Sequence, residues 1–217
     1  MISRREFFKF AGVAGAAALA GLVLPGCGNG NTSSSPTSSS SSASSTAASV
    51  AASASASVTP RVLVACFSAT GNTRPIAKAA AQALGADYFE IEPAEPYTDD
   101  DLNYSDSSTR ATEEQNNPET RPSLASMPDF GAYDIVLIGH PIWWGKAPRL
   151  ICTLLESGDL SGKVVAEFCT SGGSGVEEAN AELKALVPDA KWIGARRFAA
   201  GTSDEEVADW AVSLEID

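Results

Sequence analysis

From Arg61 onward, apolar runs and amphipathic stretches take turns along the chain. Val62–Phe67, Tyr88–Ile91, Ile135–Gly139, Val164–Cys169 and Trp192–Phe198 are short and mostly apolar, with little alternation of polar and apolar positions. Runs of that kind suit strands buried on both faces. Between them the period changes to that of a helix. Thr73–Leu84 gathers Ile76, Ala79, Ala80, Ala83 and Leu84 on one face, and Val176–Leu186 gathers Val176, Ala179, Leu183 and Leu186. Asp204–Leu214 gathers Val207, Trp210, Ala211 and Leu214 behind a Ser203/Glu206 capping box. Ala147–Glu156 makes a fourth helix, with Pro148 in its first turn, where no N–H bond is lost. Strands alternating with helices predict an α/β fold, a doubly wound five-stranded parallel sheet with helices on both faces. Such sheets bind ligands beyond the C-terminal ends of their strands, where the strand order reverses.

One connection is out of proportion. The segment 93–132 is polar, acidic at Asp99–Asp101 and interrupted by prolines, with one short helix near Thr109–Gln115. Loops this long inside a domain are usually functional or disordered. Tyr97, Tyr104, Arg110, Asn116, Asn117 and Arg121 on it point to a flap over a binding site.

Three loops should meet at the C-terminal edge of the sheet. The first, Phe67-Ser68-Ala69-Thr70-Gly71-Asn72-Thr73, turns a strand into a helix through small hydroxyl residues. Backbone N–H groups at a helix N-terminus favour an anion, and Ser68, Thr70 and Thr73 add hydroxyl donors. No Lys or Arg precedes Arg74 in this loop, so the site suits a phosphate held by neutral donors. The second loop is His140-Pro141-Ile142-Trp143-Trp144-Gly145-Lys146. Adjacent Trp side chains rarely face the same way, so one of the two is placed to stack on a planar aromatic ligand; the plainer alternative is a Trp folded over the sheet edge. The third, Thr170-Ser171-Gly172-Gly173-Ser174-Gly175, lets backbone approach a ligand closely. Together the loops describe a phosphate-bearing ligand with a flat ring. His140, the single histidine, reads as an exposed loop residue without a part in the chemistry. Glu167, inside an apolar strand, is either at a sheet edge or a buried acid near the site.

The residues before Arg61 are of another kind. Ser3-Arg4-Arg5-Glu6-Phe7-Phe8-Lys9, followed by an Ala/Gly-rich apolar stretch to Leu24, resembles a twin-arginine export signal. Leu24-Pro25-Gly26-Cys27 resembles a lipobox, which makes Cys27 the expected lipidation site. Residues 28–60 are Ser/Ala/Thr-rich and uncharged up to Pro60, a composition expected to form a disordered tether with a reach of roughly 30 Å. The expected organisation is thus a leader at 1–27, a linker at 28–60 and a domain at 61–217, outside the cytoplasm and attached to the membrane through leader or lipid only, with a secreted or periplasmic protein as the alternative if the lipobox is not used.

The leader carries a net charge of +2, so the rest carries −14 against a whole-chain −12. That balance disfavours nucleic acid and fits a partner with a basic docking face. Cys27, Cys66, Cys152 and Cys169 match no zinc or redox spacing; the last three read as buried free thiols, with a disulfide as the alternative. A single His and the absence of G-x-S-x-G argue against a serine hydrolase, and the absence of G-x-x-x-x-G-K-[ST] against a nucleoside triphosphatase.

Residues 61–217 resemble a flavodoxin. Ser68-x-Thr70-Gly71-x-Thr73 matches that family's phosphate loop, with Ala69 and Asn72 at its variable positions. Pro141-Ile142-Trp143-Trp144-Gly145 and Thr170-Ser171-Gly172-Gly173-Ser174-Gly175 resemble its two flavin-flanking loops. The resemblance implies strand order 2-1-3-4-5 and FMN as cofactor, its phosphate on residues 68–73 and its ring between the other two loops. It further implies electron transfer with a redox partner protein. The alternative is an FMN-dependent oxidoreductase, fed by NAD(P)H or a partner and reducing a quinone or similar acceptor, with residues 93–132 as a lid.

Overall fold

The computed structural model describes residues 59–216. The leader, Cys27 and the tether through residue 58 lie outside the described residues. Five parallel strands form one sheet in the order β2-β1-β3-β4-β5. They are β1 Val62–Cys66, β2 Asp87–Glu90, β3 Ile135–Pro141, β4 Val164–Thr170 and β5 Lys191–Phe198. The helices are α1 Thr73–Leu84, α2 Arg110–Asn116, α3 Arg149–Ser157, α4 Glu177–Leu186 and α5 Asp204–Ser213.

The apolar runs become strands because both faces of the sheet are covered. Leu63, Ala65 and Phe67 point to one side with Val136, Ile138 and Val165, under Leu150, Ile151 and Leu154 of α3 and Ala179 and Leu183 of α4. Val62, Val64 and Cys66 point to the other, with Ile135, Leu137 and Phe168, under Ile76 and Ala80 of α1 and Val207 and Trp210 of α5. Gly139 permits the closest approach within the sheet: a Cβ there would lie 2.2 Å from the Phe168 ring. Helix ends follow local chemistry. Gly85 takes a left-handed φ of +60° to end α1, and the Ser203 hydroxyl accepts from the Glu206 N–H at 3.3 Å to start α5.

Two boundaries differ from expectation by two residues, the others by one at most. Pro148 stands at the N-cap, and α3 begins at Arg149 rather than Ala147. Strand β3 runs past Gly139 through His140 and Pro141, which pair with Cys169 and Thr170.

The 93–132 segment is docked. Pro93 bridges Leu124 in antiparallel fashion, with Ala94 N–H to Ser123 O at 2.8 Å and Ala125 N–H to Glu92 O at 2.8 Å, and these close its base. Thr109 caps α2 through the Thr112 N–H, and Ala111 is buried in the core. Arg121 grips Glu156 of α3 with two bonds of 2.5 and 2.8 Å.

Candidate functional site

The phosphate-type loop leaves β1 where the sheet's order reverses, so the crevice between the C-terminal ends of β1 and β3 is where a ligand belongs. Ser68 organises it. Its hydroxyl oxygen accepts the N–H groups of Thr73 and Arg74, both at 3.1 Å, and so caps α1 from five residues upstream. Both oxygen lone pairs are used, and the hydroxyl proton is left to donate. The Thr70 hydroxyl accepts from the Asn72 amide at 3.0 Å and likewise keeps its proton for another acceptor. Among the described residues, the N–H groups of Ala69, Thr70, Gly71 and Asn72 have no protein acceptor. Gly71, at φ +85°, lets the turn form without strain. The loop is therefore a cluster of neutral hydrogen-bond donors, a chemistry that suits an anion.

Thr170 draws the three loops together. Its hydroxyl lies 2.8 Å from that of Thr73, and its carbonyl accepts the Ile142 N–H at 2.9 Å. In the second loop, Trp143 to Lys146 form a tight turn closed by reciprocal bonds of 2.9 and 3.0 Å. Its central residues, Trp144 and Gly145, have φ of +47° and +85°, the pattern of a type I′ turn. Trp144 is the one non-glycine residue with positive φ among those described, a strain of roughly 1 kcal/mol or more, and such strain gathers at functional sites. The two indoles separate as adjacent residues must. Trp143 is core, edge-on to Phe67 at 5.6 Å and to Tyr97 at 5.2 Å. Trp144 is 43% exposed and meets Tyr104 of the insertion at 4.6 Å. In the third loop Gly172 and Gly173 border open space, whereas a Cβ on Gly175 would strike the Glu177 carboxylate. The Gly173 N–H donates to the Ser171 hydroxyl at 3.1 Å. Ser174 is exposed.

His140 corrects an expectation. It is fully buried, not an exposed loop residue. Its Nε2 lies 2.9 Å from Glu167 Oε1 and its Nδ1 2.9 Å from the Pro141 carbonyl, while the Asn180 amide donates to Glu167 Oε2 at 2.7 Å. Glu167 is thus the buried acid of the two alternatives, and its strand partners rather than a sheet edge surround it.

A family profile described as Flavodoxin matches residues 61–214, which is more than half of the chain. The chain belongs to the flavodoxin family. A twin-arginine signal-sequence profile matches residues 1–21, so this flavodoxin-family chain carries an export signal. A protein of Bacteroides eggerthii, provisionally named a flavoprotein, is 39% identical, with 73% of this chain and 100% of that one covered and a TM-score of 0.69. A similarly named protein of Bacteroides uniformis is 41% identical, covering 71% of this chain and 99% of that one, with a TM-score of 0.68. A Lactobacillus acidophilus flavoprotein in complex with FMN shares the fold at 24% identity and a TM-score of 0.56, over 70% of this chain and 99% of its own. Among curated proteins none matches.

Several residues that serve this flavodoxin-family site escaped the motif reading. Gln115 of α2 donates to the Trp143 and Ala147 carbonyls at 3.0 and 3.3 Å, so the insertion pins the aromatic turn. Its carbonyl oxygen accepts from Arg149, whose buried guanidinium pairs with Glu182 at 2.7 Å. Arg197 holds the glycine loop by donating twice to the Ser171 carbonyl, at 3.2 and 2.8 Å. Each acts across tens of residues, and only a capping or loop motif would have flagged it locally. Cys66, Cys152 and Cys169 are buried free thiols, and burial raises each above the ordinary thiol value, Cys169 to about 12 with Glu167 nearby, which disfavours the thiolate.

Arg74, in the first turn of α1, is turned away from the donor cluster onto Glu90, with Nε 3.0 Å from each carboxylate oxygen. Tyr88 donates to the same carboxylate. Burial pushes the Glu90 carboxyl up, but the bonds from Arg74 and Tyr88 outweigh it and hold it below the usual range. A depressed folded-state value means stability that is present above the unfolded carboxylate range and lost as pH falls through the folded value. Glu90→Gln is therefore expected to flatten the loss of thermal stability between pH 6 and pH 3; an unchanged acid slope would show that the pair contributes nothing.

Proposed function

We propose that this chain binds FMN and serves as an exported electron-transfer protein. The observation that carries the reading is the donor cluster of Ser68–Thr73 at the β1/β3 crevice, with the N–H groups of residues 69–72 and the hydroxyl protons of Ser68 and Thr70 unclaimed. Its neutral, donor-rich chemistry fits the phosphate of FMN. The strand order 2-1-3-4-5 is the one in which FMN lies at that switch point in flavodoxins, and the Lactobacillus relative of this fold is described in complex with FMN.

FMN, when bound, supplies transfer of one or two electrons. The chain's residues do the rest. Ser68, Thr70 and Thr73 with the N–H groups of residues 69–72 hold the phosphate. Trp144 offers an exposed aromatic face, set by its strained turn, and Gly172 and Gly173 leave backbone free to approach a flat ring. The −14 charge beyond the leader opposes added negative charge in the site, so the bound cofactor should be harder to reduce than free FMN. A potentiometric titration with a midpoint at or above that of free FMN would remove this claim. The same charge favours a redox partner with a basic docking face. Cys27 is the proposed lipid anchor, which a diacylglycerol mass on that residue would test.

A second reading is favoured by one contact. Tyr104, 57% exposed, stands over Trp144 and could frame a site for a flat acceptor such as a quinone. Steady-state turnover with NAD(P)H and a quinone separates the two readings. A carrier turns over no faster than free FMN, and a rate well above it makes the protein an oxidoreductase.

A further inference from the structure

The last rung between β1 and β3 is the Phe67 N–H to the Gly139 carbonyl, at 2.9 Å. Along a strand, every second carbonyl faces the same neighbour, so the next one toward β1 is that of Pro141. By then β1 has turned into the phosphate loop and offers it no N–H. The His140 ring takes that carbonyl instead, with Nδ1 at 2.9 Å. It does so from full burial, with Glu167 behind Nε2 at 2.9 Å and Asn180 on the far carboxylate oxygen.

We propose that His140, braced by Glu167 and Asn180, is a positioning residue that substitutes for the missing rung and fixes the aromatic turn at the mouth of the crevice. The Pro141 carbonyl can only accept, so Nδ1 carries a proton. The bond is local to β3, yet its brace comes from β4 and α4, so the turn is referenced to the layer that also carries the glycine loop. The effect on flavin binding rests on the function proposed above; the effect on the loop does not.

Because the chain has one histidine, its ring signals need no assignment. Nitrogen-15 NMR of the full chain should show Nδ1 protonated; an unprotonated Nδ1 overturns the inference. Three variants separate positioning from the mere pairing of a buried acid. In His140→Asn the amide nitrogen sits on Cγ, as Nδ1 does, and keeps the donor to Pro141. In His140→Gln it sits one bond further out, as Nε2 does, and serves Glu167 alone. His140→Phe with Glu167→Leu removes both partners together, so no unpartnered acid is left buried. Amide exchange of residues 142–146, measured without flavin, should quicken about fivefold to tenfold in the Gln and Phe/Leu variants and clearly less in Asn, which keeps the donor to Pro141 but loses the Glu167 brace. FMN dissociation constants should follow the same order. Asn behaving like Gln, or Gln like wild type, overturns the inference even if the wild-type chain binds no FMN, since the exchange measurement does not depend on it.

Discussion

Thr70→Ala combined with Thr73→Ala is expected to lower the affinity for the proposed FMN by about a hundredfold to ten-thousandfold while the domain keeps its fold. The Thr70 hydroxyl keeps its proton for an acceptor, and the Thr73 hydroxyl can donate outward when Thr170 donates to it; hydrogen bonds to a charged phosphate contribute about 1.5–3 kcal/mol apiece, which two together convert to that range. The structural cost is smaller. Thr70 touches only the Asn72 amide, and Thr73 gives up one neutral bond to Thr170, about 1 kcal/mol. The α1 cap is untouched, because Ser68 supplies it. Calorimetric titration with FMN, beside thermal unfolding of the same samples, checks both halves. An affinity within threefold of wild type would mean that the loop does not hold the phosphate.

Glu182→Ala has the largest expected effect on stability. The Arg149 side chain is only 1% exposed, and its guanidinium rests on Glu182, the Gln115 carbonyl oxygen and the Cys152 sulfur. Removing the carboxylate strands a buried cation, at a cost of about 3–5 kcal/mol. For a domain of this size that is a fall in melting temperature on the order of 10 °C. Arg149→Met keeps the volume and removes the charge, leaving Glu182 free to reach water, so its cost should be markedly smaller. Equal losses in the two variants would contradict a stranded-charge origin.

What could be read from the sequence follows from how far each signal reaches. Thr73–Leu84 was legible end to end, because the apolar spacing, the Gly after it and the small residues before it all lie within the helix's own length. The donor cluster was legible for the same reason. Strand β3 continues past Gly139 although His140 and Pro141 look like loop residues in the sequence; only the Glu167 and Asn180 partners, far along the chain, let a histidine be buried there. Of the two Trp residues the sequence could say that they diverge, but not which enters the core. That choice is made by Phe67 and Tyr97, the latter on the insertion. The insertion itself read as a polar flap because its anchors, Gln115 and Arg121, are polar residues that bond to distant elements rather than an apolar stripe.

The central claim is that the Ser68–Thr73 cluster and the aromatic turn form an FMN site. The most direct test is the absorption spectrum of the full chain, purified natively, mixed with FMN and then desalted. The account predicts a yellow protein that retains stoichiometric FMN, with a flavin band shifted from that of the free cofactor. A colourless protein that retains none would contradict it.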